Sequence, residues 1–174
     1  MNKNYLWMVA ALAVMTLCMS GAMAFTQDVM IKSTDGGVSP TFSMTIASGD
    51  VTFPLSVGTN EKTDGPLVDV SSNTAYTISA LSSIYGQPAP TLNHMAAYNG
   101  ATYTGGYLAD AFQVGVNGDP YKTIAATTQV IRSGSAEVFS QPLKFKNEVS
   151  VTDAVLPAGS TYRIGITVSG AATP

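Results

Sequence analysis

The sequence predicts an all-β fold: an antiparallel Greek-key β-sandwich, Ig-like or jelly-roll, preceded by a helical signal peptide. Three observations predict it. Short runs rich in β-branched and aromatic residues alternate apolar with polar, the period of two that a half-buried strand requires. Clusters of Gly, Pro, Asn, Asp and Ser separate these runs at short intervals. Beyond the first two dozen residues, no long stretch repeats apolar residues at i, i+3, i+4 and i+7, so an amphipathic helix lacks its pattern.

The N-terminus carries the layout of a secretory leader. Met1-Asn2-Lys3-Asn4 is a short positive start, Tyr5 to Met19 is nearly unbroken apolar sequence, and Ala22-Met23-Ala24 puts small residues where signal peptidase reads. The apolar run is about 15 residues, short of the roughly 20 that cross a bilayer as a helix. Bulky Leu17 just before Cys18 argues against lipidation. The expected organisation is therefore a signal peptide over residues 1–24 and one β-sandwich domain over residues 25–174, secreted or held at the cell surface, with no membrane insertion after cleavage. Cleavage would remove the sole Trp (Trp7) and the sole Cys (Cys18). A chain with one cysteine can form no internal disulfide, so its stability rests on burial and backbone pairing.

The remaining charge excludes some partners. Without Lys3 the chain keeps seven basic and eleven acidic residues, a net charge of −4, with no basic run. Nucleic acid and anionic membrane surfaces lack their electrostatic footprint here.

The elements follow in order. Phe25 to Lys32 alternates through Val29 and Ile31, and Asp35-Gly36-Gly37 turns. Thr41 to Ala47 alternates as Phe42, Met44 and Ile46. Ser48-Gly49-Asp50 turns into Val51 to Leu55, a hairpin or corner. Gly58 to Gly65 reads as a charged loop. Leu67 to Val70 starts a run, and Thr74 to Ala80 alternates with Tyr76 and Ile78 on one side. Residues 81–110 break the rhythm with Gly, Pro and Tyr and read as a long loop, with a short helix expected around Thr91 to Tyr98. Strands resume at Ala111 to Val116 and, after Asn117-Gly118-Asp119-Pro120, at Tyr121 to Ala125, Thr127 to Ile131 and Ala136 to Phe139. Leu143 and Phe145 align with Val149 and Val151 across an Asn147-Glu148 interruption that reads as a bulge. Leu156 to Ser160 turns, and Thr161 to Val168 places Tyr162, Ile164, Ile166 and Val168 inward with Arg163 on the opposite face. Roughly eight to ten strands at this spacing give the sandwich.

Two stretches carry a family resemblance. Leu67-Val68-Asp69-Val70-Ser71-Ser72-Asn73-Thr74-Ala75-Tyr76-Thr77-Ile78-Ser79 reads as strand, polar break, aromatic, strand, and Ala158 to Gly170 as a closing strand. Together they resemble secreted surface β-sandwiches of the spore coat protein U type and WxL type, over about a third of the mature chain. The paired cysteines of coat protein U domains and the Trp-x-Leu motif are absent. The resemblance implies a surface structural or adhesive module and a subunit of an extracellular assembly, and it carries no catalytic residues across.

Catalytic chemistry finds no motif. His94 is the sole histidine, and no Gly-x-Ser-x-Gly elbow, His-x-x-x-His spacing or Asp-x-Asp cluster accompanies it. The acids sit mostly at turns, where Asp caps its own backbone. Asn117-Gly118-Asp119 alone offers clustered oxygens for Ca²⁺, too short a segment to define a site. The expectation is no enzyme, no cofactor and no resident metal. The candidate ligand-binding residues are Tyr85, Tyr98, Tyr103 and Tyr107, whose flat rings and hydroxyls suit sugar stacking or protein contact. Phe25 to Lys32 is expected to pair within its own domain as an edge strand or, with Phe25, Val29 and Ile31 as the candidate strand-exchange segment, to complete the sheet of a neighbour, since only Asp28 and Lys32 protect its edge. The partners expected are other copies of the chain, surface proteins or glycans.

Overall fold

In Leu67–Ser72, Val68, Val70 and Ser72 are buried while Leu67, Asp69 and Ser71 are exposed, so the alternation in sequence becomes two faces of a strand. The same logic builds the rest of the computed structural model, which describes residues 40–47, 49–83 and 91–173. These residues belong to one unit, Ser39–Pro174. The leader, the Phe25–Lys32 strand, the Asp35-Gly36-Gly37 turn and Tyr85 lie outside the described residues.

Twelve strands are described: β1 (Phe42–Ile46), β2 (Gly58–Lys62), β3 (Leu67–Ser72), β4 (Tyr76–Ser82), β5 (Ala96–Tyr98), β6 (Tyr103–Tyr107), β7 (Gln113–Val116), β8 (Lys122–Thr123), β9 (Gln129–Gly134), β10 (Glu137–Val149), β11 (Thr161–Arg163) and β12 (Ile166–Ala172). All their pairings are antiparallel. The largest sheet runs β1-β3-β10-β7-β8, with β2 also on β10. A second runs β12-β4-β9, and a small third runs β11-β5-β6. The fold class is thus the all-β antiparallel one that the alternation predicts.

The first two sheets face each other. Phe42 of β1 and Tyr76 of β4 have ring centroids 5.6 Å apart, and Tyr76 stacks on Phe139 of β10 at 6.1 Å. Gly170 of β12 lets β1 approach closely: an added Cβ would lie 2.6 Å from Cζ of Phe42 and 2.9 Å from Sδ of Met44. The core joins Val68 and Val70, Tyr76 and Ile78, Val114 and Val116, Ile131, Leu143 and Phe145. Burying each such side chain contributes about 1.5–3 kcal/mol before chain entropy is counted.

Several elements differ from the sequence expectation. Residues 51–56 form no strand, and β1 pairs with β3 rather than with them. The charged stretch Gly58–Lys62 is a strand, not a loop, because it pairs with the end of β10 and turns Asn60 inward while Glu61 faces out. The 81–110 region holds a hairpin, β5–β6, and the expected helix is limited to one 3₁₀ turn at Thr91–Asn93. Asn147-Glu148 does not interrupt β10, which runs for 13 residues with Asn147 buried opposite Asn60. Thr161 to Val168 is two strands in two sheets, broken at Ile164-Gly165.

Candidate functional site

The β5–β6 hairpin forms because Asn99 and Gly100 close it. The Asn99 carboxamide accepts hydrogen bonds from the amides of Ala101 (3.0 Å) and Thr102 (2.8 Å), and Gly100 takes a φ of +94°. The register pairs Tyr98 with Tyr103 and Ala96 with Tyr107, so β6 carries two extra residues between its tyrosines. Gly105, at a φ of +89°, belongs to that irregular stretch, where a residue with a Cβ would be strained. The parity of the pairing is kept, and Tyr98, Tyr103 and Tyr107 fall on one face.

β11 adds to the same face. Thr161 lies opposite Tyr98 and Arg163 opposite Ala96. The Arg163 guanidinium carbon sits 4.2 Å from the Tyr98 ring centre, and its Nε donates to the Thr161 hydroxyl at 3.1 Å. The Tyr98 and Tyr103 rings meet edge to face at 5.3 Å. Burial pushes the Tyr103 phenol above its ordinary pKa, with Arg163 opposing that shift and Tyr98 adding to it. Tyr107 is 47% exposed and stands 5.4 Å from the His94 ring.

Tyr98 and Tyr103 are thus brought into contact, while Tyr107, at the other end of the hairpin, packs against His94. Tyr98 and Tyr103 are half-buried and packed on each other, with Arg163 over the Tyr98 ring; Tyr107 is the most exposed of the three. Arg163 is the residue that sequence reasoning missed. The signal was its outward position beside Thr161, and its value depended on knowing that β11 pairs with β5.

The other candidates resolve simply. His94 sits with Nδ1 2.9 Å from the Leu108 carbonyl oxygen, a contact between the two ends of the hairpin. The Asp119 carboxylate forms an ion pair with Arg132 at 2.8 Å, so the Asn117-Gly118-Asp119 turn commits its acid to a cation of the chain itself. Among the described residues no group of three or more His, Cys, Asp and Glu could hold a metal ion. Open clefts among the described residues run along Asp50–Thr52, Lys62 and Asp64–Pro66, and along Asp119, Pro120, Lys122 and Val130–Ser133.

Arg132 organises a separate polar cluster. Its Nε donates to the Tyr76 hydroxyl (3.2 Å), its Nη1 to Asp119 (2.8 Å) and its Nη2 to Glu137 (3.1 Å), while its guanidinium lies 4.3 Å over Phe139. Burial works to lower the Arg132 pKa, but the bonds to Tyr76, Asp119 and Glu137 outweigh it and hold the pKa above its ordinary value. The cluster fastens β4, β9, β10 and the β7–β8 turn, a structural task.

Comparison with protein families, curated proteins and solved structures returns no match.

Proposed function

We infer that the chain is an exported, non-enzymatic β-sandwich that serves as a structural or adhesive component of a cell surface or envelope, and as a subunit of an extracellular assembly. The observation that carries this reading is the joining of a leader-like N-terminus to an antiparallel sandwich that can have no internal disulfide. The segment of Phe25, Val29 and Ile31 is proposed as one strand available for pairing with neighbours.

The test is location and association. Labelling of intact cells with an impermeant reagent is expected to tag the protein, and the purified protein is expected to bind cells or the cell-wall fraction. A protein that stays inside the cell and binds no surface material would overturn the reading.

A second reading is favoured by the face that gathers Tyr98, Tyr103, Tyr107 and Arg163: a glycan-binding module. Aromatic rings stack on sugar faces, and a guanidinium donates to hydroxyls or carboxylates. Binding on a glycan array that disappears with Tyr107→Ala supports this reading, and a blank array refutes it.

A further inference from the structure

We propose that β12 is a self-association edge, pairing antiparallel with β12 of a second copy across a two-fold axis at Ser169. The inference deepens the assembly reading above and rests on it. β12 is the edge of its sheet: β4 pairs along all seven of its residues and is its one strand partner among the described residues.

The backbone direction is fixed by the flanking bonds. The amide of Ser83 donates to the carbonyl of Gly165 (2.9 Å), and the amide of Thr173 donates to the carbonyl of Ala75 (2.7 Å). In an antiparallel ladder such pairs alternate. Odd-numbered residues of β12 therefore turn their backbone groups to β4, and Ile166, Val168, Gly170 and Ala172 turn theirs outward.

The sequence of this edge leaves it unprotected. Ile166-Thr167-Val168-Ser169-Gly170-Ala171-Ala172 holds no charge and no proline, the usual devices against edge pairing. β1, which packs against it through Phe42 and Met44, is uncharged too.

A second copy is the occupant that fits, because this strand complements itself. The antiparallel register that uses all seven residues is centred on Ser169. It sets Ile166 opposite Ala172, Val168 opposite Gly170 and Thr167 opposite Ala171, each larger side chain facing a smaller one. It also sets outward-turned residues opposite outward-turned residues, so Val168 with Gly170 and Ile166 with Ala172 can exchange both hydrogen bonds. Isologous contacts of this kind close as dimers and extend the sheet across both copies, from β9 of one to β9 of the other.

Ser169 supplies the test, since it is exposed and would lie directly opposite its own counterpart across the axis. Sedimentation equilibrium of the purified protein is expected to show reversible dimers. Ser169→Lys and Ser169→Glu should each weaken dimerisation by about tenfold or more through like-charge repulsion. An equimolar mixture of the two variants should recover association, which a folding defect could not do. A monomeric wild type, variants that dimerise as tightly as wild type, or a mixture no better than its components would overturn the proposal. So would loss of dimers on deleting residues 25–32 while Ser169→Lys leaves them intact. Surface labelling that persists in the Ser169 variants would separate failure of this edge from failure of the surface reading.

Discussion

The Tyr76 hydroxyl donates a 2.6 Å hydrogen bond to Oε1 of Glu137, tying the start of β4 to the start of β10. The same hydroxyl accepts from Nε of Arg132, so one phenol stands between an anion and a cation while its ring packs against Phe42 and Phe139. Tyr76→Phe keeps the ring and removes the bridge. It should cost about 1–2 kcal/mol in chemical denaturation, the loss of one bond to a charged group on each side. An unchanged midpoint would show that the ring alone carries the contact.

The cluster also sets a pH dependence. The hydrogen bond from Tyr76 lowers the Glu137 pKa, with burial opposing and Arg132 adding to the effect. A depressed folded pKa contributes stability above the unfolded value, about 4.3, and loses it as pH falls through the folded value. Glu137→Gln should flatten this acid limb. Tyr76 is shifted the other way, first by burial and then by Glu137. Its contribution is complete below about pH 10 and is lost as pH rises through the raised folded pKa. Tyr76→Phe should therefore unfold less steeply with alkali than wild type, as thermal melts across the pH range would show.

The parts of this fold legible in the sequence are those where one strand alternates on its own. β1, β3 and β4 read correctly because Phe42, Met44, Val68, Val70, Tyr76 and Ile78 keep period two without reference to any partner. β2 was illegible because Gly58-Thr59-Asn60-Glu61-Lys62 has no apolar residue to mark a face; only the ladder to β10 makes it a strand. The β5–β6 hairpin was hidden by Gly105 and Gly106, which break the period while supplying the irregular stretch. The tyrosine face shares that limit: Tyr98, Tyr103 and Tyr107 are visible as residues, but their common side depends on a two-residue offset that parity alone preserves.

Within that face the tyrosines should divide by stability. Tyr103→Ala removes the partner of Tyr98 and leaves the Arg163-capped ring exposed at its edge, so it should cost about 1–2 kcal/mol, an aromatic pair plus lost burial. Tyr107→Ala, at an open position, should stay within about 0.5 kcal/mol of wild type. Paired thermal melts of the two variants check this, and equal losses would contradict the division.

Asn60 and Asn147 face each other across β2 and β10, both buried, yet their hydrogen bonding is opposite in kind. Asn60 is saturated: its Oδ1 accepts from the amide and hydroxyl of Ser56 (2.8 and 3.1 Å), and its Nδ2 donates to the carbonyls of Ser56 (2.7 Å) and Gly58 (2.8 Å). It holds the 56–58 turn that leads into β2, so Asn60→Ala should cost about 2–3 kcal/mol by stranding the Ser56 backbone groups. Asn147 donates once, to the Glu148 carbonyl at 2.8 Å, and its buried Oδ1 has no hydrogen-bond partner. A buried acceptor without a donor costs desolvation with no return. Asn147→Val removes that group, suits a strand, and should leave stability within about 0.5 kcal/mol of wild type or above it. Urea titration of both variants decides the matter: a large loss at Asn147 would mean that its carboxamide, like that of Asn60, is satisfied in solution.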